Sequence, residues 1–131
     1  MTIKQIYNLA VSEGIKHDLR GSSRVREILK RINTKYEKFS DEQKEEFDEE
    51  RLDNPYSGTR IFHGDFAAKI KKVLVGVDID TGEVVLANEL NRQDRSNPID
   101  LIIAHHPLAS GFAGLHEVMD LQVELLAHYG V

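Results

Sequence analysis

Residues 99–108 read IDLIIAHHPL, an apolar run that ends in two histidines and a proline. The four residues Leu101–Ala104 do not alternate with polar ones, which predicts a strand buried on both faces, as in an α/β sheet. Pro107 has no backbone N–H and disfavours helical geometry at the preceding His106, so the strand is expected to end there. The two imidazoles would then lie at the carboxyl end of a buried strand, where open α/β sheets place their binding sites.

His105 and His106 are therefore the candidate metal ligands, because neutral imidazole is the commonest metal ligand in proteins. Adjacent residues of a strand point to opposite faces, so the two rings can serve one site only at a turn, or with two ions side by side. The alternative is a hydrogen-bonded histidine pair at the mouth of a loop. The chain has no cysteine, which leaves imidazole, carboxylate and water as ligands.

A second apolar run, Lys72–Ile79, predicts another buried strand, in which Gly76 allows a neighbouring backbone to come close. Asp80, with Glu83 three residues later, predicts the N-cap of a helix over residues 81–90. Strand, helix and strand in this order predict a right-handed βαβ unit with parallel strands. Asp78 would then lie at the same sheet end as the histidines, where it could orient an imidazole. Three residues of the helix are expected to pack inward: Val84, Val85 and Leu90.

The last predicted helix spans residues 115–129 and ends at Gly130, a typical C-terminal cap. Its predicted buried stripe is Leu115, Val118, Met119, Leu125, Leu126 and Tyr129. His116 and Asp120 are four residues apart and share one face. Together with Glu117 they resemble a zinc-protease helix that has lost its second histidine, so we reject a protease and expect at most a site-lining role. Small residues around Phe112 predict a loop that approaches the site closely.

Residues 1–53 are predicted to form a helical leader, and residues 54–131 an α/β metal-binding unit. Apolar spacing predicts helices over residues 2–13 and 23–39, with Gly14 ending the first. Thr2 with Gln5 and Ser40 with Gln43 fit capping boxes. The acidic segment 41–53 predicts a short exposed helix. Turn signals at Asn54–Gly58 mark the boundary, and Ile61–Phe62 suggests a short strand.

The leader's second helix carries six basic residues: Arg24, Arg26, Lys30, Arg31, Lys35 and Lys38. One interpretation is a basic partner-binding face. The other is a solvated helix face, which we favour because Glu27 and Glu37 interrupt the basic run. The leader alone therefore does not indicate a partner.

Composition fits one globular domain of 131 residues, with 40% hydrophobic and 30% charged residues. The absence of cysteine fits a cytoplasmic location. No apolar run approaches the ~20 residues that a membrane span needs, so no membrane partner is expected. The net charge of −5 argues against nucleic acid as a partner.

The stretch IDLIIAHHPL resembles the DLxxxHHP signature of the GTP cyclohydrolase I type 2-like family, also described as Ngg-interacting-factor-three-like or dinuclear-metal proteins. The upstream IKKVLVGVDIDTGEVVLANELN and the downstream GLHEVMDLQVELLAHYGV are similar to the same family, so the resemblance covers about residues 54–131. It implies an α/β fold, mainly a parallel sheet with flanking helices, preceded here by the helical leader. It also implies that His105 and His106 bind metal.

By this resemblance the protein is expected to be a dinuclear-metal-dependent hydrolase, and the family's name suggests a purine nucleotide as its small-molecule substrate. The metal would be zinc, iron or manganese, and the protein a homo-oligomer. Family members complete their site with a later carboxylate and a histidine–glutamate pair, which this sequence lacks. We therefore expect the opening half of a site and weak metal binding. The alternative is a non-catalytic metal-binding scaffold that acts through oligomerisation.

Overall fold

The computed structural model describes residues 1–106 and 116–131. Its elements are α1 (Ile3–His17), α2 (Ser22–Tyr36), α3 (Asp41–Glu45), a 3-10 turn (Glu49–Leu52), β1 (Val73–Gly76), α4 (Thr81–Gln93), β2 (Leu101–Ala104) and α5 (His116–His128). Helix and strand are mixed, as expected, and the sheet within the described residues has two parallel strands. The predictions on Pro107, on the loop around Phe112 and on Leu115 lie outside the described residues.

Three helices begin at the predicted caps, two of them predicted as capping boxes and Asp80 as an N-cap, and at all three a side chain accepts from the first free N–H groups of the helix. The pairs are Thr2 with Gln5, Ser40 with Gln43, and Asp80 with Glu83. The prediction was confirmed at all three because a capping box needs only residues three positions apart. The acidic segment forms the short exposed α3 and the 3-10 turn, also as expected.

The first helix does not stop at Gly14, as predicted, but continues to His17. The ring of Tyr56 lies against this glycine, and a Cβ added there would be 2.8 Å from the ring. Gly14 is thus a close-packing residue rather than a helix cap. Helix α2 likewise ends at Tyr36 rather than at Phe39, because Tyr36, Phe39 and Phe47 pack together as an aromatic cluster beyond it.

The predicted boundary turn is held firmly against α1. Asn54 is only 2% exposed. Its amide donates to the Tyr7 hydroxyl at 3.0 Å and to the Thr59 carbonyl at 2.8 Å, and its Oδ1 accepts from the Tyr56 N–H at 2.9 Å. Burial, with the nearby Glu50 carboxylate, raises the pKa of Tyr7 to about 12. Every amide group of Asn54 thus has a partner, which offsets the cost of its burial. The division into two units stays a prediction.

The two strands pair in parallel from Val73 with Leu101 to Gly76 with Ala104, as predicted for a βαβ unit. The prediction of burial on both faces was wrong for β1: Val75 is 67% exposed, and Val73 and Val77 are exposed as well. Within the described residues no third strand extends this sheet. A two-stranded ribbon has too little area to bury both faces.

The apolar side chains of the C-terminal helices are also more exposed than predicted. In α4, Ala87 is buried, but the three expected inward residues Val84, Val85 and Leu90 are exposed. In α5, four residues of the predicted stripe are exposed: Val118, Met119, Leu126 and Tyr129. An apolar stripe predicts a partner surface, and the described residues do not supply one. Gly130 has a φ of +79°, as expected of a helix cap.

Residues 61–62 form no strand, against the prediction, and Phe62 is exposed. The chain instead pairs a few residues later, where Lys69 forms an antiparallel bridge with Thr2. The Ile3 and Ile70 N–H groups donate to the Ala68 and Met1 carbonyls across this contact. Residues 66–70 therefore lie along the start of α1.

Candidate metal centre

The strand ladder places His105 and His106 beside the end of β1. Past the last paired residues, the His105 N–H donates to the Gly76 carbonyl at 2.9 Å and the His106 N–H to the Val77 carbonyl at 2.8 Å. These two bonds lie just beyond the ladder and tie the backbone under both rings to the end of β1. The carboxyl ends of the two strands meet here, as predicted.

Asp78 and His106 form a hydrogen-bonded pair at this end. His106 Nδ1 lies 2.7 Å from Asp78 Oδ1. An ionised carboxylate only accepts hydrogen bonds, so Nδ1 donates to it, and in the neutral form of the ring Nε2 carries the lone pair. A carboxylate that fixes the tautomer in this way is the usual outer-shell partner of a metal-binding histidine. The sequence-based suggestion that Asp78 orients an imidazole agrees with this geometry.

His105 lies beside this pair on the same side of the sheet end. Its ring centroid is 5.2 Å from that of His106, and the ring planes are 36° apart. The chain bends at both histidines, after the strand has ended, which removes the alternation that would separate them. Both imidazoles are exposed, and the Asp78 side chain is 79% exposed. A small ligand therefore has free access to both rings.

Gly76 makes the turn that presents Asp78. A Cβ at this position would lie 2.7 Å from Ile79 Cδ1 and 3.0 Å from the Asp78 carbonyl oxygen. The close backbone approach expected at Gly76 is therefore real, but it comes from the same turn rather than from a neighbouring strand. Ile79 is buried, so its side chain anchors the turn while Asp78 points outward.

Two polar contacts at the opposite end of the sheet were not predicted. Asp100 accepts from the Lys71 and Lys72 N–H groups at 2.8 and 3.1 Å, and these bonds lower its pKa. Asn91 and Ile99 exchange hydrogen bonds of 3.0 and 2.6 Å, which join the end of α4 to the start of β2. The sequence signal that could have indicated these contacts is the polar residue directly before each apolar run, Lys72 before β1 and Asp100 before β2. These contacts set the strand register and hence the histidine positions.

The remaining candidate residues do not form one ligand set with the histidines. Within residues 1–106 and 116–131, no three His, Asp or Glu side chains are arranged to hold an ion. His116 and Asp120 lie on α5 and are exposed, whereas the side chain of Glu117 lies outside the described part of the chain. The lone His63 is an exposed loop residue, as expected.

The comparisons with known proteins found no matching family model, curated protein or solved structure. Among the helices of the described residues, none is both long and apolar enough to cross a membrane.

Proposed function

We propose that His105 and His106 bind a divalent metal ion, zinc, iron or manganese, as part of the site of a dinuclear-metal-dependent hydrolase. The observation that carries this proposal is the 2.7 Å contact between Asp78 and His106. It leaves Nε2 of His106 free for a ligand and fixes the ring that bears it. The donor set of two imidazoles with an outer carboxylate suits these borderline metals.

The proposal includes the reaction class and the larger fold. A metal held here would polarise a substrate and activate water, and the resemblance of IDLIIAHHPL suggests a purine nucleotide as substrate. A mainly parallel sheet and a cytoplasmic location are part of the same proposal. The parallel pairing of β1 with β2 supports the first, and the absence of cysteine supports the second.

Metal titration of the full chain by calorimetry tests the ligand assignment. We expect zinc binding weaker than micromolar, because two protein ligands fall short of the usual three or four. The double variant His105→Ala/His106→Ala should lose this binding, and Asp78→Asn should weaken it by about tenfold or more. The exposed His63 offers a matched control, since His63→Ala should bind metal as the wild type does. Equal zinc binding by the double variant would overturn the assignment.

Release of product from GTP tests the catalytic half of the proposal. Since binding is weak, turnover should be sought at millimolar zinc, iron or manganese, where the loaded form is populated. Turnover that vanishes in His105→Ala/His106→Ala supports a hydrolase. Metal binding without turnover would favour the alternative, a metal-binding scaffold.

The exposed apolar surface supports the homo-oligomer that both functions share. On the strands, α4 and α5 and beside them, its members are Val73, Val75, Val77, Val84, Val85, Leu86, Leu90, Val118, Met119, Val123 and Leu126. Apolar residues exposed in this number mark an interaction surface on a globular domain.

Sedimentation velocity tests this self-association. Salts that are excluded from the protein surface, such as ammonium sulfate, strengthen apolar contacts. The associated fraction should therefore rise with the concentration of this salt. A chain that stays monomeric at high concentration in this salt would contradict it.

A further inference from the structure

Helix α2 exposes a basic stripe that has no carboxylate partner among the described residues. The stripe consists of Lys30, Arg31, Lys35 and Lys38, which flank a shallow surface groove of about 600 Å³ together with Thr34 and Glu27. None of these four cations forms an ion pair within 4.0 Å in that part of the chain. By contrast, Arg24 on the same helix pairs with Glu27 and Glu124.

The acidic segment exposes a stripe of the opposite sign. Asp41, Glu42, Glu45 and Glu46 are all exposed, and none pairs with a cation among the described residues. The other acids of this segment behave differently: Asp48 and Glu50 pair with Arg60, and Glu49 accepts from the Tyr36 hydroxyl. Unpaired acid is therefore concentrated on α3 and its end.

The two stripes match in spacing. On a helix, residues i, i+1, i+4 and i+5 lie on one side. The acids occupy positions 41, 42, 45 and 46, and three of the bases occupy positions 30, 31 and 35 of α2, with Lys38 in the turn beyond its end. The acidic stripe and the helical part of the basic stripe therefore each span about one and a half turns.

We propose that the basic stripe of α2 binds the acidic stripe of α3 from a second copy of this chain. Because each copy carries both stripes, the contact either closes a symmetric dimer or extends head-to-tail where the geometry does not close. A net charge of −5 opposes approach of a polyanion such as RNA more than approach of this local segment. The contact involves no residue of the metal centre and is independent of its function.

The dependence on salt concentration distinguishes this charged contact from the apolar association described above. Exposed charges more than a Debye length apart are screened, and that length falls from about 10 Å at 0.1 M salt to about 3 Å at 1 M. Charge-driven assembly should therefore weaken by about tenfold or more from 50 mM to 500 mM NaCl. Apolar association does not weaken under these conditions.

Neutral variants test the proposal by sedimentation velocity at 50 mM NaCl. Lys30→Gln/Lys35→Gln/Lys38→Gln keeps the acidic stripe, and Glu42→Gln/Glu45→Gln/Glu46→Gln keeps the basic one. Each variant alone should lose the salt-sensitive part of the association and keep only what the apolar surface supports. Their mixture retains one productive contact per pair and should regain salt-sensitive association with 1:1 stoichiometry, weaker than that of the wild type.

The control variant Arg26→Gln/Lys16→Gln removes two exposed cations outside the stripe and should associate as the wild type does. Circular dichroism checks that all variants fold. Wild-type association that is insensitive to NaCl, or a mixture that regains no salt-sensitive association, would overturn the proposal. So would a labelled RNA oligomer that binds the wild type but not the lysine variant, if no self-association is seen, since the stripe would then serve nucleic acid.

Discussion

Two side-chain pairs in this protein each join an aspartate to a nitrogen donor, and they lie in opposite surroundings. Asp18 binds Arg20 through two bonds of 2.9 and 3.0 Å, with the two side chains 3% and 11% exposed. Asp78 binds His106 at 2.7 Å, but there the side chains are 79% and 56% exposed. The first pair is largely enclosed by its own fold, and both carboxylate oxygens already accept hydrogen bonds from Arg20. The second leaves a ring nitrogen facing solvent.

The contrast extends to the regions around the pairs. The helical leader buries Ile3, Val11 and Val25 and closes over the Asp18–Arg20 pair with Tyr56. The α/β part leaves valines of β1 and α4 exposed. The leader therefore holds most of the described core, although the sequence motif that suggests a function lies in the other region. Stability and candidate function are located in different parts of the chain.

Removing the enclosed carboxylate of Asp18 should cause the largest loss in the free energy of unfolding. Asp18→Asn removes the carboxylate that pairs with the Arg20 guanidinium in a largely enclosed site, and we expect a loss of about 2–3 kcal/mol in the free energy of unfolding. The matched change Asp78→Asn, at the exposed pair, should alter it by no more than about 0.5 kcal/mol. Urea unfolding followed by circular dichroism measures both. Equal effects would show that the two pairs do not differ as described.

The dependence of stability on pH in the acid range gives an independent check on the contribution of Asp18. Hydrogen bonds from Arg20 lower the folded-state pKa of Asp18 below its ordinary value, which is about 3.9 in an unfolded chain. The pair's contribution is thus complete above that value and is lost as the pH falls through the lower folded value. Stability of the wild type should fall more steeply over this range than that of Asp18→Asn.

A second comparison concerns the cost of truncating a buried and an exposed valine. Val25 is fully buried on α2, whereas Val75 on β1 is 67% exposed. Val25→Ala removes two buried methyl groups and should cost about 2 kcal/mol, while Val75→Ala should cost less than about 0.5 kcal/mol. Thermal and urea unfolding check this pair. A large loss in Val75→Ala at high protein concentration, absent on dilution, would instead show that a second copy covers β1.

Local signals in the sequence predicted the starts of helices and the position of the site. Capping boxes and the strand–helix–strand order depend on neighbours a few residues apart, and these were confirmed. The contact of Asp78 with His106 was also within reach, because parallel strands bring their ends together. The Asp18–Arg20–Tyr56 cluster was not predicted, since Tyr56 is 38 residues from Asp18 and no periodic pattern links them. Burial of the valines was overpredicted, because apolar spacing indicates that a face needs a partner but not that one is present.

Replacing two helical glycines by alanine should change the free energy of unfolding in opposite directions. Gly14→Ala places a methyl group 2.8 Å from the Tyr56 ring, so strain should outweigh the gain in helix propensity by about 1 kcal/mol. At Gly82 in α4 no heavy atom lies within 4 Å of an added Cβ, so Gly82→Ala should stabilise by up to about 1 kcal/mol. Urea midpoints measure both signs. Stabilisation by Gly14→Ala would mean that Tyr56 moves aside freely.

The smallest change in stability is expected at the contact between the helical leader and α5. Arg24 of α2 holds Glu124 of α5 at 2.8 and 3.3 Å, and its guanidinium lowers the pKa of that carboxylate. Arg24→Gln should therefore raise the Glu124 pKa towards its ordinary value, which an NMR titration of the side-chain carboxyl measures directly. Because the pair is solvent-accessible, salt screens it and its loss should change the urea midpoint less than any substitution above. Glu27 also pairs with Arg24, so Glu27→Gln serves as the matched control that leaves the link between helices intact. A Glu124 pKa unchanged by Arg24→Gln would show that α5 is not held against the leader by this contact.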